Sequence, residues 1–384
     1  MNKKETDIDS LIEFRKKLHR FPETSGEESE TAATIAKELE TCGADELHTK
    51  VGGTGVMALF KPKNHQSGKA ILFRAELDGL SIHEQSNLPH QSEKPGKMHA
   101  CGHDGHMTIL TGLARYLAEN RPENFSIYLL FQPAEETGEG AERILSDEKF
   151  QNLNIDHAFA LHNLPGYKLN TVVVKKGTFA SASVGLDITF EGKFSHAAYP
   201  EQGINPADTV GYFLTQLKEK RDGFTKRSEM NKMTATFVKM GEPAFGISPG
   251  TARAGVTVRA STDEEMEVGV KEVLKAVELA RQFFGGSIHY KKVEPFTAVI
   301  NSSEGVEIVK KAADCSEIDF EEPDVPFSWS EDFGEFRKKC PITLFGLGAG
   351  EKSLPLHSEK YDFNDELIPA GIAMFQEIIS NYKY

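Results

Sequence analysis

Cysteine is scarce in this chain: four in 384 residues, Cys42, Cys101, Cys315 and Cys340, scattered along its length. That argues against a disulfide framework, and a reducing compartment would leave Cys101 available as a metal ligand. Positive charge is also short, with 44 Lys and Arg against 58 Asp and Glu and a formal net charge of -14. Neutralising phosphates needs basic surface, so a general nucleic-acid partner is argued against, although a local basic pocket is not. No apolar run reaches membrane-spanning length, and Met1-Asn-Lys-Lys-Glu-Thr-Asp7 is charged where a signal peptide has its apolar core. The expectation is a cytoplasmic protein with no membrane partner. Tandem repeats and low-complexity segments are missing as well. What remains is 39% apolar and 27% charged residues, the balance of a globular chain long enough for two or three domains.

Strand and helix patterns alternate. Apolar spacing predicts a helix from Ile8 to Arg20, ended by Pro22. A second follows, in which Ala32, Ile35, Ala36 and Leu39 share a face, with a capping box of Ser25 and Glu28 at its start and Gly43 at its end. Short apolar runs at Gly55 to Phe60, Ala70 to Arg74, Ser126 to Phe131, His157 to Leu161 and Ile342 to Leu347 read as strands. The clearest helix passes through Met107, Leu110, Leu113, Ala114 and Leu117, with Asp104 available near its start as a cap.

Between Ser183 and Phe296 the pattern changes to a self-contained set: a strand from Val184 to Glu191, a helix from Pro206 to Lys220, strands at Thr234 to Lys239 and Arg253 to Ala260, a helix from Glu264 to Phe284 and a strand from Ser287 to Val293. That order, βαββαβ, is the split ferredoxin-like arrangement. Gly285-Gly286 is placed to stop its long helix. The sequence therefore predicts an α/β fold in which residues 1–182 and 297–384 form one discontinuous domain with residues 183–296 inserted.

The chemistry gathers in that discontinuous domain. Met98-His-Ala-Cys-Gly-His-Asp-Gly-His106 packs soft and borderline metal ligands where a helix begins, whose N-terminal dipole favours an ionised Cys101. Glu135 and Glu136, His162 and His357 each follow an apolar strand, and the strand ends of an α/β sheet are where ligands bind. Taken singly, a cysteine is usually a small buried residue and a histidine an ordinary loop residue; it is the joint placement that favours coordination. One Cys, three His and one Glu exceed the three protein ligands of a usual catalytic zinc site, so a two-metal site with Cys101 bridging is preferred. Paired metals polarise a carbonyl and acidify a shared water, and of two adjacent glutamates one can ligate while the other moves protons, which suits amide hydrolysis.

Six motifs in order, His99-Ala-Cys-Gly-His-Asp104, Phe131-Gln-Pro-Ala-Glu-Glu136, Ala160-Leu-His-Asn163, Ser195-His-Ala-Ala-Tyr-Pro200, Ser330-Glu-Asp-Phe333 and Leu356-His357, resemble those of the aminoacylase, hippurate hydrolase and indoleacetyl-amino acid hydrolase family of metallo-amidohydrolases. The resemblance spans nearly the whole chain. It implies a metal-binding α/β catalytic domain with an inserted lid that makes a homodimer, two divalent ions (manganese or zinc, with cobalt or nickel as alternatives), and a small N-acyl amino acid as substrate. It implies His103 and His162 on one ion, Glu136 and His357 on the other, Cys101 bridging, and Glu135 as general base and acid. Asp78 would orient a ligand, with a turn cap as its ordinary alternative. His196 would polarise the scissile carbonyl in the partner's site, or is simply a loop histidine. Arg259 is a carboxylate partner or a strand-surface charge.

The departures fall where substrate would be held. Glu76 stands where many relatives have aspartate, Ser195 replaces a glycine, Asn205 an aspartate, and Gly246 lies where an asparagine side chain is usual. A metal-dependent dipeptidase, a Cys101 thiol hydrolase and a catalytically silent binding protein are the competing readings.

Overall fold

The computed structural model describes residues 7–64 and 68–382; residues 1–6 of the charged opening segment lie outside the described residues. The chain divides into two compact units. The first comprises the chain up to Phe179 with Val299–Val325 and everything from Asp332, and the second comprises Ala180–Ala298 with Pro326–Glu331.

The first unit is built on an eight-stranded sheet in the spatial order Glu46–Val51, Gly55–Phe60, Ser126–Gln132, Ala70–Glu76, His157–Pro165, Ile342–Gly350, Val172–Val173 and Phe320–Glu321. The four long strands from Ser126–Gln132 to Ile342–Gly350 run parallel. Gly55–Phe60 and Glu46–Val51 extend the sheet antiparallel. Every residue of Gly55–Phe60 and Ala70–Glu76 is buried, which is why these strands read as unbroken apolar runs without alternation.

Two strands outlast their apolar runs because polar residues in them find buried partners. Ala70–Glu76 continues past Arg74 to Glu76, and the two side chains pair with each other; Arg74 also donates to Gln132 Oε1 at 2.9 Å and Asp332 Oδ1 at 2.7 Å. His157–Pro165 continues through His162 and Asn163. His162 consequently lies within a strand, where the sequence had placed it just past the end of one.

The helix His103–Glu119 packs on the strand Ala70–Glu76 and against the helices Ile8–Arg20 and Leu367–Asn381, with every residue from His103 to Ala114 buried. A Cβ on Gly112 would lie 2.3 Å from Ile372 Cδ1 and 3.1 Å from Leu11 Cδ1, so a larger residue there would force the Ile372 side chain to move. Asp104 is not this helix's cap, which is the left-handed Gly102. Its Oδ2 accepts from His19 Nδ1 at 2.9 Å and Arg15 Nη1 at 3.3 Å, and Arg15 also binds Asp362 at 2.6 Å and Asp365 at 2.8 Å. Nor do Ser25 and Glu28 form a capping box. The helix Ser29–Thr41 has no side-chain bond from its N-cap Glu28, and its Thr31 N–H is met by Glu23 Oε2 at 2.8 Å.

The second unit has the order βαββαβ. Its sheet runs Lys232–Met240, Thr251–Ala260, Ala182–Glu191, Ser287–Phe296, antiparallel throughout. Val184, Leu186, Ile188 and Phe190 alternate toward a core shared with Val256, Val258 and the helix Asp263–Arg281, whose Met266, Val270, Val273 and Val277 recur at helical spacing. That helix ends at Arg281, short of Gly285-Gly286, which lie in the turn beyond it. Pro326–Glu331 joins this unit through Ser181, whose N–H donates to Phe327 O and Trp329 O at 3.0 and 3.1 Å. The chain is thus an α/β protein with a ferredoxin-like insert.

Candidate metal centre

Parallel neighbours in a sheet bring their C-terminal ends to one edge, so segments distant in sequence meet there. Asp78 follows Ala70–Glu76, Glu135 and Glu136 follow Ser126–Gln132, His162 sits in His157–Pro165, and His357 lies in the turn after Ile342–Gly350. Cys101 enters through Gly102, whose φ of +92° favours glycine and whose Cβ, if present, would stand 2.5 Å from Asn163 Oδ1.

The donor atoms form two triads that share one sulfur. Cys101, His103 and His162 make one and Cys101, Glu136 and His357 the other, with ligand atoms within 4.8 Å of one another in each. Cys101 Sγ is 3.5 Å from His162 Nε2, and His357 Nε2 is 3.7 Å from Glu136 Oε2. His103 Nε2 lies 3.7 Å from Glu135 Oε2 and 4.0 Å from Glu136 Oε1.

Hydrogen bonds on the far side of each ring set which nitrogen is presented. His103 Nδ1 donates to Asp78 O at 2.8 Å, with Asp78 Oδ1 at 3.4 Å, so the buried Nε2, which makes no hydrogen bond, presents its lone pair. His162 Nδ1 donates to Asn163 O at 3.0 Å, leaving Nε2 toward the sulfur, and burial pulls its pKa down to about 3. Burial works the same way on His103, but the Asp78 hydrogen bond and the charges of Glu76 and Glu136 override it and push the pKa up to about 10. Carboxylates that favour positive charge on His103 equally favour a divalent cation beside its Nε2. The thiolate, imidazole and carboxylate donors fit zinc, manganese, cobalt or nickel.

Asp78 does more than cap a turn. Its Oδ2 accepts from Ser25 Oγ at 2.7 Å and from Glu136 N at 3.0 Å. Burial would raise its pKa, but the bonds from His103 and Ser25 lower it. Glu135 is buried in the same loop. His196 and Arg259 belong to the second unit. His196 is exposed on a short ribbon in which Ser195–His196 pairs with Ile247–Ser248, and its Nδ1 accepts from Ala198 N at 3.0 Å. Arg259 Nη1 donates to Ser328 O at 3.0 Å and Ser330 Oγ at 2.9 Å.

The sequence reading missed several residues around the cluster. His106 lies 2.7 Å from both Glu76 Oε2 and Asn163 Oδ1, and Asn163 Nδ2 donates to Tyr361 Oη at 2.6 Å. Asp332 binds Arg74, Gln132 and the Ala141 N–H, tying the far end of the Glu135 loop to the sheet. The signals existed, in the third histidine of the Cys101 motif and the acid of Ser330-Glu-Asp-Phe333, but spacing alone does not say what a buried acid bonds to.

Strand-end donors of this kind in an α/β domain that carries a βαββαβ insert define the class: a metal-dependent hydrolase of amide bonds. The chain belongs to peptidase family M20/M25/M40, whose pattern matches residues 72–381, and the family resemblance read from the motifs is borne out. It is 31% identical over 378 residues to N-acetyldiaminopimelate deacetylase of Enterococcus faecalis, covering 95% of each chain. It is 30% identical over 377 residues to hippurate hydrolase of Campylobacter jejuni, covering 96% of this chain and 95% of the relative. A Bacillus subtilis crystal structure, described as a dinuclear metal binding peptidase from the M20 family, matches with a TM-score of 0.79 and 26% identity over 97% of each chain.

Proposed function

We propose that this protein hydrolyses N-acyl amino acids to a carboxylic acid and a free amino acid, with Cys101, His103, His162, Glu136 and His357 holding two divalent cations. The observation that carries the reading is the pair of donor triads joined at Cys101, with Glu135 beside them. When bound, such ions supply Lewis acidity and lower the pKa of a coordinated water.

The residues of the chain do the rest. Glu135 takes a proton from the attacking water as its oxygen bonds to the acyl carbon, and delivers that proton to the nitrogen as the C–N bond breaks. Asp78 holds His103 in the tautomer that presents Nε2, and through the Glu136 N–H it fixes the loop. Arg259 is the candidate partner for the substrate carboxylate and His196 for its carbonyl. The acyl amino acid substrates named for the Enterococcus and Campylobacter relatives support the substrate class. The proposal includes a cytoplasmic homodimer formed through the inserted domain.

The test is a mass-spectrometric screen of acyl amino acids and dipeptides against protein loaded separately with manganese, zinc, cobalt or nickel. Reversible loss of turnover on chelation is expected. E135Q should keep its metal and lose about 10²–10⁴-fold in kcat, the range of general acid–base catalysis. Wild-type turnover by E135Q removes Glu135 from its role, chelator-resistant turnover removes the metal reading, and cleavage of dipeptides alone makes the enzyme a dipeptidase.

A further inference from the structure

We propose that Glu28 is a positioning residue for Glu135, acting through the backbone of the loop that carries it; the proposal rests on Glu135 being the proton carrier. Glu28 is fully buried as the N-cap residue of the helix Ser29–Thr41, its backbone carbonyl accepting from Ala32 N at 2.9 Å while its side chain caps none of the helix's N–H groups. A buried carboxylate is costly unless its oxygens are satisfied. Its side chain accepts one bond from the catalytic loop and two from segments outside it: Oε1 takes Ala134 N at 2.9 Å and Gly26 N at 2.8 Å, and Oε2 takes Thr54 Oγ1 at 2.7 Å.

Ala134 immediately precedes Glu135 and has a φ of +51°, a left-handed conformation that a non-glycine residue keeps only when its surroundings determine it. Both of its backbone groups are held, the N–H by Glu28 and the carbonyl by Gly140 N at 3.0 Å. On the other side of Glu135, the Glu136 N–H goes to Asp78 Oδ2, which also accepts from Ser25 Oγ. The segment from Ser25 to Glu28 therefore reaches the loop on both sides of the proton carrier. Its side-chain bonds to the loop are separate from those at the start of the helix it leads into, where the Thr31 N–H goes to Glu23 Oε2 and Glu27 pairs at the surface with Lys97. Displacing a catalytic group by about 1 Å can cost 10²-fold in rate, so a bond one residue away from Glu135 bears directly on turnover.

The experiment compares wild-type holoenzyme with E28A, E28Q and E28D. It measures amide hydrogen exchange of residues 133–141, metal content, and kcat and KM for an N-acyl amino acid hydrolysed by the wild type. E28A is expected to exchange at least tenfold faster across this loop while the strand Ser126–Gln132 stays protected, to keep its metal, and to lose 10- to 100-fold in kcat with KM changed less than threefold. E28Q retains an oxygen for the Ala134 and Gly26 N–H groups and should stay within threefold of wild type. E28D, one methylene short, falls between and is read by the same criteria if E28A does not fold. Unchanged loop exchange, or a kcat within threefold of wild type in E28A, overturns the proposal, as does a loss in E28Q equal to that in E28A. Loop exchange does not depend on the reaction, so the two readings fail separately: an active E135Q with a loosened E28A loop removes the proton role and leaves Glu28 as the anchor of the loop, whereas an inactive E135Q with an unaltered E28A loop removes the brace alone.

Discussion

Replacing Asp78 with Asn should weaken metal binding by about tenfold, near the lower end of the 10–100-fold span usual for groups that orient a ligand. His103 Nδ1 donates to the backbone carbonyl of Asp78 at 2.8 Å, a bond the substitution leaves intact, so the tautomer that presents Nε2 persists. What is lost is the carboxylate charge 3.4 Å from that N–H. At an effective dielectric of about 20, two unit charges at this distance interact by roughly 5 kcal/mol, and an imidazole N–H carrying about a third of a charge feels roughly 1.5 kcal/mol, or tenfold in affinity. The other oxygen is committed to Ser25 Oγ and Glu136 N, so the Asn amide must turn its NH₂ toward His103, and no compensating bond forms there. Chelator competition on zinc- and manganese-loaded protein, read by metal analysis, measures the affinity directly. Affinity within threefold of wild type would mean that the Asp78 charge does nothing for His103, and a loss beyond a thousandfold would make Asp78 a ligand itself; either result refutes the reasoning.

Acid stability should depend on His157. Burial pulls its pKa down to about 4, so between pH 6.5 and 4 the unfolded chain binds a proton that the folded one refuses, and stability falls as pH falls through that window, by about 3 kcal/mol in all. Urea titrations of wild type and H157Q between pH 7 and 4.5 should show a shallower slope for the variant, and equal slopes would contradict this. Arg15→Met removes the cation shared by Asp104, Asp362 and Asp365. Breaking a buried pair costs about 3–5 kcal/mol, and the lower end is expected because His19 still faces Asp104 at 2.9 Å. A loss under 1 kcal/mol in the urea-unfolding free energy would show that the network adds little.

Much of this structure was legible because its signals were local. Buried parallel strands announce themselves as apolar runs, the inserted module shows its alternation in Val184 to Glu191 and its helical spacing in Met266 to Val277, and Glu136 and His357 follow strands as their positions after apolar runs predict. The less legible features involve a polar side chain whose partner lies far away in sequence. Ser25 and Glu28 have the spacing of a capping box, yet their acceptor and donors are Asp78, Ala134 and Thr54. Asp104 stands where a cap would, but Arg15 and His19 claim it. The length of the strand carrying His162 was underread for a related reason, since its polar continuation is stabilised by neighbours that an apolar count cannot see.

The insertion point also has a consequence for how the protein is made. Cys101, Glu136 and His162 all precede the second unit, and His357 follows it. At ordinary rates of synthesis, roughly 10–50 s separate the appearance of Cys101 from that of His357. Once His162 has been made, the candidate donors Cys101, His103 and His162 are all present in the nascent chain, while the second candidate triad still lacks His357. The two candidate donor triads are therefore synthesised in a fixed order, the Cys101–His103–His162 triad first. A chain released before residue 357 lacks the His357 donor of the second candidate triad while carrying every member of the first.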